Sequence, residues 1–187
     1  MRENMVMRTT YSSGVTLIEL LISISILAIL LTVAVPSFQT SIVNNRLGTY
    51  SNALFSSLIL ARSEAIKRNK RVVVCKSSDG ESCTGNWGQG WIVFVDTNND
   101  ATVSSGEVIV QKSGALENNY SLTGNEYIAS YVSYSSEGVS KTVSGAMQAG
   151  TFELCPPSPA PSGNGRNIVI SSTGKPRVEA IATCPTS

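Results

Sequence analysis

The chain has 187 residues, with 14 Lys and Arg against 13 Asp and Glu, a formal net charge of +1, and no histidine. So even a balance gives no global field to hold a polyanion, and the missing histidine removes the commonest general base and metal ligand. No G-x-S-x-G elbow, Walker loop or metal-ligand cluster is present, so neither enzymatic activity nor a cofactor is expected.

The first fourteen residues carry Arg2 and Arg8 against Glu3 and end in Gly14. Residues 15–35 then form an apolar run with one ionisable side chain, Glu19. As a helix this run spans ~31 Å, close to the hydrocarbon thickness of a bilayer. A carboxylate at a bilayer centre costs about 2.5–3.5 kcal/mol on insertion scales, so Glu19 needs a partner. In a secretory signal the small residue at the cleavage site follows the apolar core, whereas Gly14 precedes it. Cleavage after Gly14 leaves the helix on the mature protein and a free amine at Val15, four residues from Glu19, to act as that partner. The basic leader places everything beyond the run on the non-cytoplasmic side. Removing fourteen residues leaves 173, enough for one helix and one modest domain, and leaves 12 basic and 12 acidic side chains.

Pro36 is expected to bend the helix without ending it, because the periodicity resumes at once. Val43, Leu47, Tyr50, Leu54, Leu58, Ala61 and Ala65 follow at spacings of three and four, an apolar stripe opposite Asn44, Asn45, Arg46, Thr49, Asn52 and Ser56. This second half of the helix, residues 36–70, lays its stripe on a globular core and stops near Asn69. Lys67, Arg68, Lys70 and Arg71 cluster at its negative end, where cations are favoured; dipole compensation accounts for them better than a functional basic patch.

From residue 71 to residue 187 the period is that of strands, expected at 72–75, 91–95, 107–111, 151–155, 167–171 and 177–181, with a further candidate at 127–134. Residues 155–165 form a Pro/Gly loop, and no internal repeat is present. One helix followed only by short strands gives an α+β fold: a long N-terminal helix packed against an antiparallel sheet. Cys75, Cys83, Cys155 and Cys184 lie in the head, where oxidising conditions make disulfides the first reading. Three connectivities are open, and nearness in sequence favours Cys75 with Cys83 and Cys155 with Cys184. Zinc is the competing reading, poorly served by the missing histidine and C-x-x-C spacing.

Asp96, Asn98, Asp100 and Glu107 match the oxygen-ligand spacing of a calcium loop, with Ala101 where that loop takes glycine. A polar hairpin connection explains the same residues without metal. At residues 174–177, Gly-Lys-Pro-Arg makes a turn whose Lys175 and Arg177 could contact phosphates, joined by Arg166 if 167–171 pairs with 177–181. The alternative is a hairpin with solvated charges.

Gly14 followed by V-T-L-I-E-L resembles the class III signal of type IV prepilins and pseudopilins. The resemblance implies that a prepilin peptidase cuts between Gly14 and Val15, that Val15 is N-methylated, and that Glu19 docks on the N-terminal amine of a neighbouring subunit. The first mature residue in that family is usually Phe, and here it is Val15. A-R-S-E-A-I-K-R-N at 61–69, G-W-I-V-F-V-D at 90–96 and S-S-T-G-K-P-R-V at 171–178 resemble the GspH/FimT group of minor pilins and pseudopilins, FimU-like members included. What this implies is a pilin fold and a subunit of a type IV pilus, in the tip complex that primes assembly. Its partners would be other major and minor pilins, and it would wait in the inner membrane with a periplasmic head. Two alternatives follow from the same resemblance: a FimT-like DNA-binding pilin for natural transformation, in which a Gly-Arg-x-Arg hairpin corresponds to Gly174–Arg177, or a pseudopilin of a type II secretion system. Lys175 stands where that motif has Arg and lacks the planar fork of a guanidinium.

Overall fold

The computed structural model describes residues 14–117, 119–158 and 164–184. Its first element is the helix α1, Leu17–Arg68, which runs through Pro36. The chain divides into two units, one ending at Gln39 and one starting at Thr40. In the second unit the stripe is buried: Leu47, Leu54, Leu58, Ala61 and Ala65 are fully covered, with Val43 and Tyr50 packed at its margin. Helix α1 stops because Asn69 takes a left-handed conformation (φ 51°). The Asn69 and Lys70 N–H groups then donate to the Ile66 and Ala65 carbonyls, the Schellman arrangement that satisfies a helix C-terminus.

The strands are β1 (Arg71–Lys76), β2 (Trp91–Asp96), β3 (Ile109–Ser113), β4 (Ser121–Gly124), β5 (Tyr131–Tyr134), β6 (Gly150–Cys155), β7 (Gly165–Ile170) and β8 (Pro176–Ile181). They form two four-stranded antiparallel sheets, ordered β3-β2-β1-β5 and β4-β6-β7-β8, where the sequence suggested one. Strand β4 was not anticipated, because S-L-T-G holds a single apolar residue, Leu122. The strand expected at 107–111 begins at Ile109, after a register shift between Val93 and Phe94. The candidate at 127–134 divides into a 3-10 turn, Glu126–Ile128, and β5.

Alternation along β1 and β2 separates two apolar clusters. Val72, Val74, Trp91, Val93 and Val95 join the helix stripe together with Phe152, Leu154, Ile168 and Ile170 of the second sheet, so both sheets close on one core. Val73, Cys75, Ile92 and Phe94 face the other way and meet Ala101, Val103 and Cys83. Two indoles fix the assembly. Trp91 Nε1 donates to Ser57 Oγ of the helix at 2.9 Å, and Trp87 Nε1 donates to the Ile128 and Ala129 carbonyls while its ring meets Phe152 edge-on at 4.8 Å. Disulfides join Cys75 to Cys83 and Cys155 to Cys184.

Leu58→Ala should therefore cost about 2–5 kcal/mol of stability, whereas Asn52→Ala, on the exposed face, should change it by no more than about 0.5 kcal/mol. Urea unfolding of the two variants measures both, and equal effects would contradict the stripe as the spine of the core.

Candidate functional site

The apolar run begins beside the Gly14–Val15 bond. Both residues are exposed and non-helical, and residues 1–13, with Arg2, Glu3 and Arg8, lie outside the described residues. Thr16 caps the helix: its Oγ1 accepts from the Glu19 N–H at 3.2 Å, and its carbonyl accepts from Leu20 N. The sequence reading passed over Thr16, although Thr followed three residues later by Glu is the capping-box pattern. The cap keeps the Gly14–Val15 bond outside α1.

Within the run the hydroxyls of Ser23, Ser25 and Thr32 donate to the Glu19, Leu21 and Ile29 carbonyls at 2.7 Å each. Bonded back in this way, they bring little polar cost into an apolar medium. Glu19 is different: its carboxylate has no hydrogen bond or ion pair among the described residues, and it stands exposed in the first turn. Around it eleven Leu and Ile side chains between Leu17 and Leu31 are exposed. Covering one such side chain is worth about 1.5–3 kcal/mol, so together they exceed the ~2.5–3.5 kcal/mol penalty of the acid several-fold. By length and composition α1 is able to cross a membrane.

The residues with calcium-loop spacing are held by their own backbone. Asp96 is buried; its Oδ1 accepts from Asn99 N and Asp100 N, and its Oδ2 from Ala101 N. Ala101 itself takes the left-handed conformation (φ 57°) where a calcium loop uses glycine. Asp100 accepts from the Thr102 hydroxyl and N–H and from Asn98 Nδ2, and the Thr102 hydroxyl holds its carboxyl below the usual range. Glu107 accepts from Thr97 N, Thr97 Oγ1 and Ser104 N. Burial pushes the Glu107 carboxyl up, but the donors from Ser104 and Thr97 outweigh it and bring it below 4.5. These bonds account for the four residues as a hairpin connection.

Strands β7 and β8 do pair, but Arg166 lies opposite Ala180 and Arg177 opposite Val169. Three residues of offset is ~10 Å along a strand and an odd number, so Arg166 and Arg177 point to opposite faces of the sheet. Arg166 is not brought to the hairpin turn. Arg177 pairs with Glu179 at 2.6 Å, and Lys175 is exposed at a turn where Gly174 (φ 78°) packs against Tyr134. Of the basic cluster closing α1, Lys67 and Arg68 pair with Glu64, and Arg71 reaches Ser133 Oγ, Asn99 Oδ1 and the Lys141 carbonyl. All four sulfurs are committed to disulfides, which leaves no thiolate for zinc.

A long helix with a bare apolar run, preceded by an exposed Gly14–Val15 bond and joined to a disulfide-tied β head, defines a subunit of the prepilin class. The family model of the Type II transport protein GspH matches residues 51–174, and that of the prokaryotic N-terminal methylation motif matches residues 10–35. The chain belongs to the GspH family of type IV minor pilins and pseudopilins, whose members are structural subunits. No curated protein matches it closely enough to count as a relative. Its fold is similar to that of the type IV minor pilin FimU of Pseudomonas aeruginosa PAO1, with a TM-score of 0.56 and 19% identity over 76% of this chain and 97% of that one. The minor pseudopilin EpsH from the type 2 secretion system of Vibrio cholerae aligns at a TM-score of 0.48 and 10% identity, over 76% and 99%.

The donors around Glu107 generate a pH dependence. A folded pKa lowered from 4.5 gives a contribution to stability that is complete above the ordinary value and is lost as pH falls through the lowered one. In an NMR titration the Thr97 and Ser104 amide shifts should move with a midpoint below 4.5, and Glu107→Gln should abolish the transition; a midpoint at or above 4.5 would overturn the assignment.

Proposed function

We propose that the chain is a minor subunit of a type IV pilus, processed between Gly14 and Val15 and built into the filament through its N-terminal helix. Residues 1–14 are then the leader, 15–35 the membrane-spanning and later filament-core half of the helix, 36–70 its amphipathic half, and 71–187 the periplasmic head. The observation that carries this reading is the bare apolar run with its polar hydroxyls satisfied internally and one carboxylate left over. Before assembly the lipid of the inner membrane covers the run. In the filament neighbouring helices replace the lipid, and the amine of a neighbour's first mature residue neutralises Glu19. An unpaired acid in such surroundings is costly, so the pairing sets the axial register of each incoming subunit. A head tied by two disulfides suits a scaffold for the tip complex that primes assembly.

Support for a second reading comes from the family model itself, whose description is a type II transport protein and which covers more than half of the chain. The same processing and the same use of Glu19 would then build a secretion pseudopilus. Deleting the protein separates the two: loss of surface filaments with secretion intact favours the pilus, and the reverse favours the pseudopilus.

Mass analysis of protein purified from cells with a working prepilin peptidase should give a chain starting at a methylated Val15; a mass retaining the first fourteen residues would overturn the proposal at its first step. Glu19→Ala should leave processing and membrane insertion unchanged and reduce recovery in sheared filaments by tenfold or more. Wild-type recovery of that variant would remove Glu19 from the mechanism.

A further inference from the structure

Most charged side chains in the head are either exposed to water or paired, and Arg62 is neither. It is half-buried on helix α1, and among the described residues it makes no hydrogen bond and no ion pair. The carboxylates near it are engaged elsewhere. Glu64, two residues on, holds Lys67 and Arg68, and Glu137, beside the Gly138 turn, holds Ser135 Oγ and Lys141. Gly138 (φ 73°) presses its turn against the helix so closely that an added Cβ would stand 2.7 Å from Ile66 Cδ1 and 3.3 Å from Arg62 Nε. On the inner side lies Tyr134, which is fully buried and whose hydroxyl has no partner among the described residues. Burial pushes that phenol well above its ordinary value of 10, although the Arg62 charge opposes the rise. Tyr134 therefore stays neutral and supplies no anion to the guanidinium.

On the outer side, Ile59 and Ile66 are 41% and 53% exposed. With Arg62 they occur at spacings of three and four and so share one helix face. An arginine framed by exposed aliphatic side chains has the composition of an interface hot spot. Partial burial without a partner costs free energy that a planar, two-oxygen acceptor recovers. A carboxylate meets that need, and the flanking isoleucines call for apolar neighbours around it.

We propose that the Ile59–Arg62–Ile66 face is the docking point for a neighbouring filament subunit, which places a carboxylate on Arg62 and apolar side chains on the two isoleucines. This rests on the reading of the chain as a filament subunit. The contact is distinct from the Glu19 pairing: it is made by the head-bearing half of the helix and has the opposite sign, with the cation supplied by this chain and the acid by its neighbour.

The test uses the full-length protein in its producing cells. Arg62→Lys, Arg62→Gln and Arg62→Glu should all be processed and, purified in detergent, should melt like the wild type. Recovery in sheared filaments should be retained by Arg62→Lys, fall about tenfold in Arg62→Gln, and be lost in Arg62→Glu. A photo-crosslinker placed at Ile66 should capture another pilin subunit, and mapping should place an Asp or Glu beside the crosslinked site; Arg62→Glu should abolish the adduct. Wild-type incorporation of Arg62→Glu, an unchanged adduct, an adduct to DNA, or a strongly lowered melting temperature in Arg62→Glu would each overturn the proposal, the last by making Arg62 a fold contact. Absence of the wild-type chain from filaments would instead sink the functional reading, while an adduct formed with another pilin in the membrane would still support the docking face.

Discussion

One helix has to serve two environments, and the rest of the structure follows from that constraint. Up to Gln39, α1 carries no residue of the core among the described side chains; from Leu47 on, one side of it is the core. Leu47, Leu54, Leu58, Ala61 and Ala65 give a narrow stripe in which small residues occupy the C-terminal end. Small side chains there let both sheets close on the same strip of helix, and the large residues that fill the space come from the strands, as Trp91, Tyr134, Phe152 and Ile168. The indole of Trp91 shows how little slack remains: its N–H has to find an acceptor inside the core, and Ser57, itself bonded back to Ala53, supplies it.

This division explains what was legible in the sequence. The apolar run, the stripe, the helix end and the longer strands are local patterns of period 3.6 or 2, and each is visible in a window of a few residues. The partition into two sheets is not local. It depends on which strands find each other across long stretches of chain: β1 pairs with β2 and β5, while β6 pairs with β4 and β7. Strand β4 is a strand because Leu122 lies opposite Leu154 in the core and because β6 offers it an edge, not because S-L-T-G favours extension. Gln148 is a further case. Buried, it donates to the Tyr127 and Tyr131 carbonyls and accepts from Ser133 N, so a side chain does along β5 what a further strand would do.

The hairpin cations show the same limit at the level of a site. The pairing of 167–171 with 177–181, a condition in the sequence reading, is made by β7 and β8, yet the position of Arg166 depends on the parity of the register, which flips every side chain with a one-residue slip. The acidic loop after β2 teaches the converse. Its spacing is that of a metal loop because a tight polar turn and a cation make the same demand, oxygen atoms converging on a small space. Here backbone N–H groups meet the demand, and Ala101, left-handed and buried in the second apolar cluster, donates its own N–H to Asp96.

Charge distribution carries the functional argument further than charge total. The exposed cations Lys70, Lys112 and Lys175 need no partner, since water solvates them at little cost. Surface pairs such as Arg177 with Glu179 offset one another's charge. Among the described residues two charged side chains of the helix have no ion pair, Glu19 among exposed aliphatic residues and Arg62 half-buried beside a neutral phenol. Both stand on α1. On the reading proposed above, the groups that complete them come from neighbouring chains. On that reading the two deficits differ in sign and in apolar frame, so each would select its own kind of partner group where apolar surface by itself would tolerate sliding.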